Sequence, residues 1–170
     1  MRSNVQLMGA FVLALLLSSG EFAPFAGWIG NGPTGGATLS YDWTPESKLD
    51  FTAAIAEISY FHFGGRVLFR PGQRVDPWFG LTAGISTRDS NAAFSGSAGG
   101  GVDIRISPTM SWRLDGRFYT TFGANYIAVD CGGNGLCSSS ASAVIYTQFA
   151  ATTGLAFRFG SPTHRLSRNR

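Results

Sequence analysis

Ile145 to Phe159, IYTQFAATTGLAFRF, decides how the rest of the chain is read. Its odd positions Ile145, Phe149, Ala151, Leu155, Phe157 and Phe159 are mostly apolar, whereas Tyr146, Gln148, Thr152, Gly154 and Arg158 on the even positions are polar or small. A period of two sends alternate side chains to opposite faces of a strand, here one greasy face and one wet face.

The same rhythm recurs upstream. Met110 to Phe122 sets Trp112, Leu114, Phe118 and Phe122 against Arg113, Asp115, Arg117 and Tyr119; Ala93 to Ser107 sets Phe94, Val102, Ile104 and Ile106 against Asp103 and Arg105. Asp76 to Thr87 opposes Phe79, Leu81, Ala83 and Ile85 to Trp78, Gly80, Thr82, Gly84 and Ser86, and His62 to Arg70 opposes Phe63, Val67 and Phe69 to Arg66 and Arg70. From Lys48 to about Glu57, Leu49, Phe51, Ala53 and Ile55 share one side, with Asp50 and Thr52 on the other. Ala37 to Trp43 alternates as well. Phe22 to Ile29 is the least regular, and Pro24 limits ladder pairing there. Gly30 to Gly36, GNGPTGG, reads as a loop, and Thr44–Ser47, Pro71–Gln73, Arg88–Asn91 and Ser107–Thr109 read as turns. Eight strands with short connections predict an all-β chain, an eight-stranded antiparallel up-and-down barrel whose closure leaves no open edge.

Composition narrows the setting. Charged residues make up 14% of the 170 residues, against a usual share of roughly 25%. Gly occurs 23 times and aromatics reach 14%, which suits a wall facing lipid better than a soluble surface. The net charge is only +3 and the basic residues are scattered, which argues against nucleic-acid binding. Arg2 precedes the apolar run Leu7 to Leu17, which as a helix would cover only about 16 Å, too short to span a bilayer. The run and the small residues Ser18-Ser19-Gly20 predict a secretory signal over residues 1–20, a barrel over 21–160 and a disordered basic tail over 161–170. A buried N-terminal helix is the alternative for the apolar run.

Alternation alone does not say which face is outside, because a soluble secreted barrel binding an apolar ligand shows the same rhythm inside out. Trp43, Phe69, Phe79, Trp112 and Phe159 lie on the apolar parity near one end, as an aromatic girdle at a membrane interface would. The other parity carries Asp50, Arg66, Asp103, Arg105, Arg113, Asp115, Arg117 and Arg158. An eight-stranded barrel has an interior just wide enough for side chains to fill it, so these residues are expected to pair and plug the lumen. The three connections near Thr44–Ser47, Pro71–Val75 and Ser107–Thr109 are expected at the periplasmic side, and Gly123 to Ser142 is expected as the longest outward loop. Cys131 and Cys137 within that loop are expected to form a local disulfide, with two free thiols as the alternative. No histidine lies near them, and no metal site is expected.

Thr153 to Phe159, TGLAFRF, follows the pattern polar, Gly, any, any, apolar, any, aromatic. It resembles the closing-strand signal by which the assembly machinery recognises bacterial outer-membrane barrels, carried here by Thr153, Gly154, Phe157 and Phe159. It departs from the usual case in that GSPTHRLSRNR follows the aromatic. From Ala37 to Phe159 the chain resembles the small eight-stranded outer-membrane barrels of the OmpA and OmpX-like group, most strongly in GGGVDIRISPTMSWRLDGRFY (Gly99 to Tyr119) and TTGLAFRF (Thr152 to Phe159). The resemblance implies a monomeric transmembrane protein of the outer membrane. Its partners would be outer-membrane lipid, lipopolysaccharide and the barrel-assembly machinery; it would need no cofactor, and its role would be structural, surface-interacting or that of a minor pore. Some small barrels instead trim or acylate lipid A, and the deacylase kind resembles His-x-Ser on a membrane-facing strand. His62 is followed by Phe63-Gly64 and His164 by Arg165-Leu166, so neither fits. His62 and Ser59 are expected at the outer rim, the histidine as an interfacial residue, and no catalytic set is expected.

Overall fold

A computed structural model describes the backbone of residues 19–88, 91–131 and 137–160, with side chains for all of these except 124–131 and 137–144. Eight strands run β1 (Gly20–Ile29), β2 (Gly32–Thr44), β3 (Ser47–Ile55), β4 (Ser59–Leu68), β5 (Val75–Arg88), β6 (Asn91–Arg105), β7 (Met110–Cys131) and β8 (Cys137–Phe159). Each pairs antiparallel with the next, and β8 returns to β1, so the sheet closes as an eight-stranded barrel. The expected architecture holds. The start of β1, the end of β8 and the β2–β3, β4–β5 and β6–β7 turns mark one end, called here the terminal end; the other four connections mark the hairpin end.

The pleat decides what fills the interior. In β8, Ile145, Phe149, Leu155 and Phe157 stand exposed on the outer wall, whereas Ala150 and Ala156 point inward and are buried. The same parity sends Phe51, Phe63, Leu81 and Phe118 outward and Asp50, Arg66, Thr82 and Arg117 inward. The inside-out arrangement of a soluble barrel is not the one adopted. Among the described residues the apolar core is a small cluster toward the hairpin end, formed by Ile29, Ala54, Ile58, Tyr60, Tyr119 and Ala150. One large ring, Trp78, also turns inward. A Cβ on Gly101 would stand 2.8 Å from its Cζ2 and 2.0 Å from the Leu114 carbonyl, so the glycine makes the room the indole occupies.

Several boundaries differ from the sequence reading. Most of the expected loop Gly30–Gly36 is strand: β2 begins at Gly32, and the connection is the two-residue turn Gly30-Asn31, with Gly30 at φ 57°. The glycine run reflects close strand approach, since a Cβ on Gly36 would meet the Ala53 carbonyl at 2.1 Å. The first strand begins two residues earlier than read, at Gly20, and its ladder to β8 skips Ala23 and Pro24, where the imide has no N–H to offer. The expected long loop from Gly123 is also mostly strand: after a register shift between Gly123 and Tyr126, β7 and β8 stay paired to Cys131↔Cys137. Backbone pairing satisfies the peptide groups that a loop would leave to solvent. The other hairpin-end connections are short, and the longest terminal-end connection, 69–74, exceeds them.

Candidate functional site

The inward parity of β1, β3, β4, β6, β7 and β8 brings the charged residues of the terminal half together inside the barrel. Glu21 is fully buried at their centre. Its Oε2 accepts from Lys48 Nζ at 2.9 Å and lies 3.4 Å from Arg158 Nε; its Oε1 accepts from Arg66 Nη2 at 2.6 Å and from Arg113 Nη2. Arg113 also grips Asp103 in a fork, with Nε to Oδ1 and Nη2 to Oδ2 both at 2.7 Å. Two parallel charge-assisted bonds fix the angle between these groups as well as their separation. Arg66 extends the cluster to Asp50, 3.5 Å from Nε to Oδ2, and Lys48 extends it to Asp42 at 3.2 Å. Trp78 lies beneath three guanidiniums, Arg66, Arg113 and Arg117, at 5.5, 5.8 and 5.2 Å from its ring centroid, within cation–π range.

Higher in the barrel, Arg117 Nε bonds both oxygens of Asp115, at 2.8 and 3.1 Å. Between this pair, Thr38, Thr52 and Thr152 the free space is about 10 Å³, roughly the room one water needs.

Among the described residues, the interior of the hairpin half carries hydroxyls, an imidazole and two phenols beside its small apolar cluster. His62 Nδ1 lies 3.0 Å from Thr82 Oγ1 and Nε2 lies 2.7 Å from Ser95 Oγ. Thr82 and Ser97 hydroxyls are 2.6 Å apart, and Thr121 donates to Ser86 at 3.2 Å. Tyr60 and Tyr119 pack at 4.5 Å between centroids, both rings against His62, and Tyr60 donates to Gln148 Oε1 at 2.8 Å.

The structure gathers Asp50, Arg66, Asp103, Arg113 and Arg158 into one cluster and sets Asp115 with Arg117 beside it. Arg105 is placed otherwise: it is half-buried at the terminal rim and donates from Nη1 to the Gly72 carbonyl at 2.7 Å, because its strand ends there beside the β4–β5 turn. His62 also departs from expectation. It is buried inside rather than interfacial, since even positions of β4 point inward, and hydroxyls lie against both ring nitrogens. Ser59 stands three rungs away on the strand's first residue.

Trp43, Phe69, Phe79, Trp112 and Phe159 sit toward the terminal end, the first four exposed on the outer wall. Thr153 accepts the Trp112 indole N–H at 2.7 Å and itself donates to the Arg113 carbonyl at 3.3 Å, so the polar atoms on this stretch of wall satisfy one another. Gly154 lets β1 close in, as a Cβ there would meet the Pro24 carbonyl at 2.2 Å, and Phe157 pairs with Phe22 of β1. The backbones of Cys131 and Cys137 face each other as the last rung of the β7–β8 pair; their side chains lie outside the described residues, as do residues 1–18 of the signal expected over 1–20 and the tail over 161–170.

Solved structures share this fold. Over 84% of this chain and 98% of the other, it superposes on the N-terminal β-barrel domain of Pseudomonas aeruginosa OprF with a TM-score of 0.58 at 13% identity. The fold is that of small transmembrane barrels. A chain from the de novo design of transmembrane β-barrels gives 0.56 at 13% identity, covering 84% of this chain and 96% of that one. The solution structure of the designed TMB2.3 gives 0.50 at 16%, covering 85% and 98%. No family model and no curated protein matches the sequence.

Sequence reasoning missed three members of this barrel's interior. Glu21 was hidden by the poor alternation of its strand and by its place beside the expected cleavage point. Lys48 and Trp78 follow the inward parity, Trp78 on the face already read as wet, but neither was among the residues expected to pair in the lumen. A lone acid before Asp42 was the available signal for Glu21, because a charge on an alternating strand needs a counter-charge wherever that face is enclosed.

Proposed function

We propose that the chain is an integral barrel of the bacterial outer membrane, its terminal end toward the periplasm, with a structural or surface-interacting role. Its lumen is closed to solutes by the cluster around Glu21, Arg66, Asp103 and Arg113. One observation carries this reading: the barrel is greasy outside and charged inside. Phe63 and Leu81 are 60% and 58% exposed, whereas Glu21 and Arg66 are 0% and 2%. In water a wall of that kind would be a single large apolar patch, a liability for any soluble monomer. In acyl chains it is correctly turned, with Trp43, Phe69, Phe79 and Trp112 at the height of an interfacial girdle. On the same reading Thr153, Gly154, Phe157 and Phe159 serve as the recognition signal for the assembly machinery, and Cys131 and Cys137, rung partners at the hairpin tip, form a disulfide.

Fractionation of cells carrying the protein tests the proposal. The barrel is expected with the outer membrane, migrating differently on a denaturing gel before and after boiling. Recovery in the soluble fraction with unchanged mobility would overturn it. Phe63→Arg sharpens the test, because a cation on the lipid face near mid-bilayer costs about 2–4 kcal/mol. Phe63→Leu should leave the unfolding midpoint in vesicles close to the parent's.

A further inference from the structure

At the terminal end of the outer wall a groove of about 250 Å³ opens between Trp43, Leu49 and Val67. It exists because Gly65 leaves an outward position of β4 without a side chain, opposite Leu49 on β3. Trp43 and Val67, both exposed, stand as its apolar flanks.

Three residues beyond Val67, a reach of at most about 10 Å, the chain enters the corner joining β4 to β5. Arg70 and Arg74 project from this corner, both exposed and neither in a salt bridge with a described residue. The corner is held in shape. Arg70 N donates to Asp76 Oδ1 at 3.1 Å, Gln73 N to the Arg70 carbonyl at 3.1 Å, Arg105 N to the Arg74 carbonyl at 2.7 Å, and Arg105 Nη1 to the carbonyl of Gly72, which turns the chain at φ 90°. Two guanidiniums are therefore carried on a fixed platform directly past the apolar Val67 and Phe69. At the opposite end, by contrast, Arg88 is drawn to Glu57 at 2.5 Å.

We propose that groove and corner together bind one anionic phospholipid, an acyl chain lying between Trp43, Leu49 and Val67 and the headgroup phosphate meeting Arg70 and Arg74. The planar fork of an arginine matches phosphate oxygens, and an anionic headgroup brings no second cation to the pair. The inference rests on the reading of the terminal end as the one in the phospholipid leaflet.

The test uses the full chain refolded into phosphatidylcholine vesicles containing a trace of spin-labelled phosphatidylglycerol or spin-labelled phosphatidylcholine, comparing the immobilised fraction of each. The wild type should prefer phosphatidylglycerol by about fivefold or more at low salt, less at high salt. Arg70→Gln with Arg74→Gln should bring the ratio near one while leaving phosphatidylcholine association intact. Trp43→Ala should weaken association of both lipids. A preference that survives the double substitution, or its absence from a wild-type barrel that has inserted, overturns the lipid site. Unchanged association of both lipids in Trp43→Ala removes the groove from it. A chain that never becomes heat-modifiable in any vesicle refutes the membrane reading instead, so the two failures are distinguishable.

Discussion

The two halves of the interior solve one problem by different chemistry. Toward the terminal end the buried groups are ions: Glu21 and Asp103 hold Lys48, Arg66 and Arg113, with Trp78 beneath the guanidiniums. Toward the hairpin end, among the described residues, they are hydroxyls, an imidazole and two phenol rings around His62. Both halves bury polar groups, and in the terminal half the Asp50 carboxylate, the Trp78 indole N–H and the Ser111 hydroxyl are buried without a hydrogen bond from another protein group. The halves differ in what happens when one member is lost, because an unpaired buried ion is far more expensive than an unpaired hydroxyl.

That difference orders the expected effects of substitution. Glu21→Ala should be the most damaging, lowering stability by about 3–5 kcal/mol in urea unfolding from vesicles, since it leaves Arg66, Arg113 and Lys48 short of a shared counter-charge. Arg113→Ala belongs in the same range. Asp115→Ala should follow at about 1.5–3 kcal/mol, because it deprives only Arg117, which keeps its place over Trp78. In the hairpin half, Ser95→Ala removes one hydroxyl from His62 and should cost about 1 kcal/mol. Equal losses for Glu21→Ala and Ser95→Ala would break the distinction between the halves. Glu57→Ala gives the scale's lower end: its pair with Arg88 is exposed on both sides, and the expected change is below about 1 kcal/mol.

How much of this could be read in the sequence follows the strength of local pattern. Met110 to Phe122 and Ile145 to Phe159 alternate most regularly, and each lies within a strand that carries its large apolar residues on the outer wall. β1 does not alternate cleanly, for Pro24 and the small residues Ala23, Ala26 and Gly27 blur its period, and with it went Glu21, the hub of the site. The glycine run after Ile29 misled for a physical reason: glycine signals a turn and a close strand contact alike, and Gly36 serves the second. His62 shares the parity of Arg66 and so faces inward, as alternation could have told; what alternation does not carry is how far from the rim its rung lies. The pairings themselves, such as Arg113 with both Glu21 and Asp103, depend on which strands face across the barrel, and alternation within a strand is silent on that.

Glu21 has one further consequence, for kinetics. Its four cationic partners lie 27, 45, 92 and 137 residues away along the chain, the last on the strand that seals the cylinder. Bringing such distant segments together carries the largest loop-closure entropy in the molecule, so the ions meet late in folding, after most neighbouring hairpins have zipped. Contacts formed after the rate-limiting crossing govern how fast a protein comes apart more than how fast it is made. The first acid of the first strand would thus act mainly as a brake on unravelling, setting the lifetime of the finished cylinder.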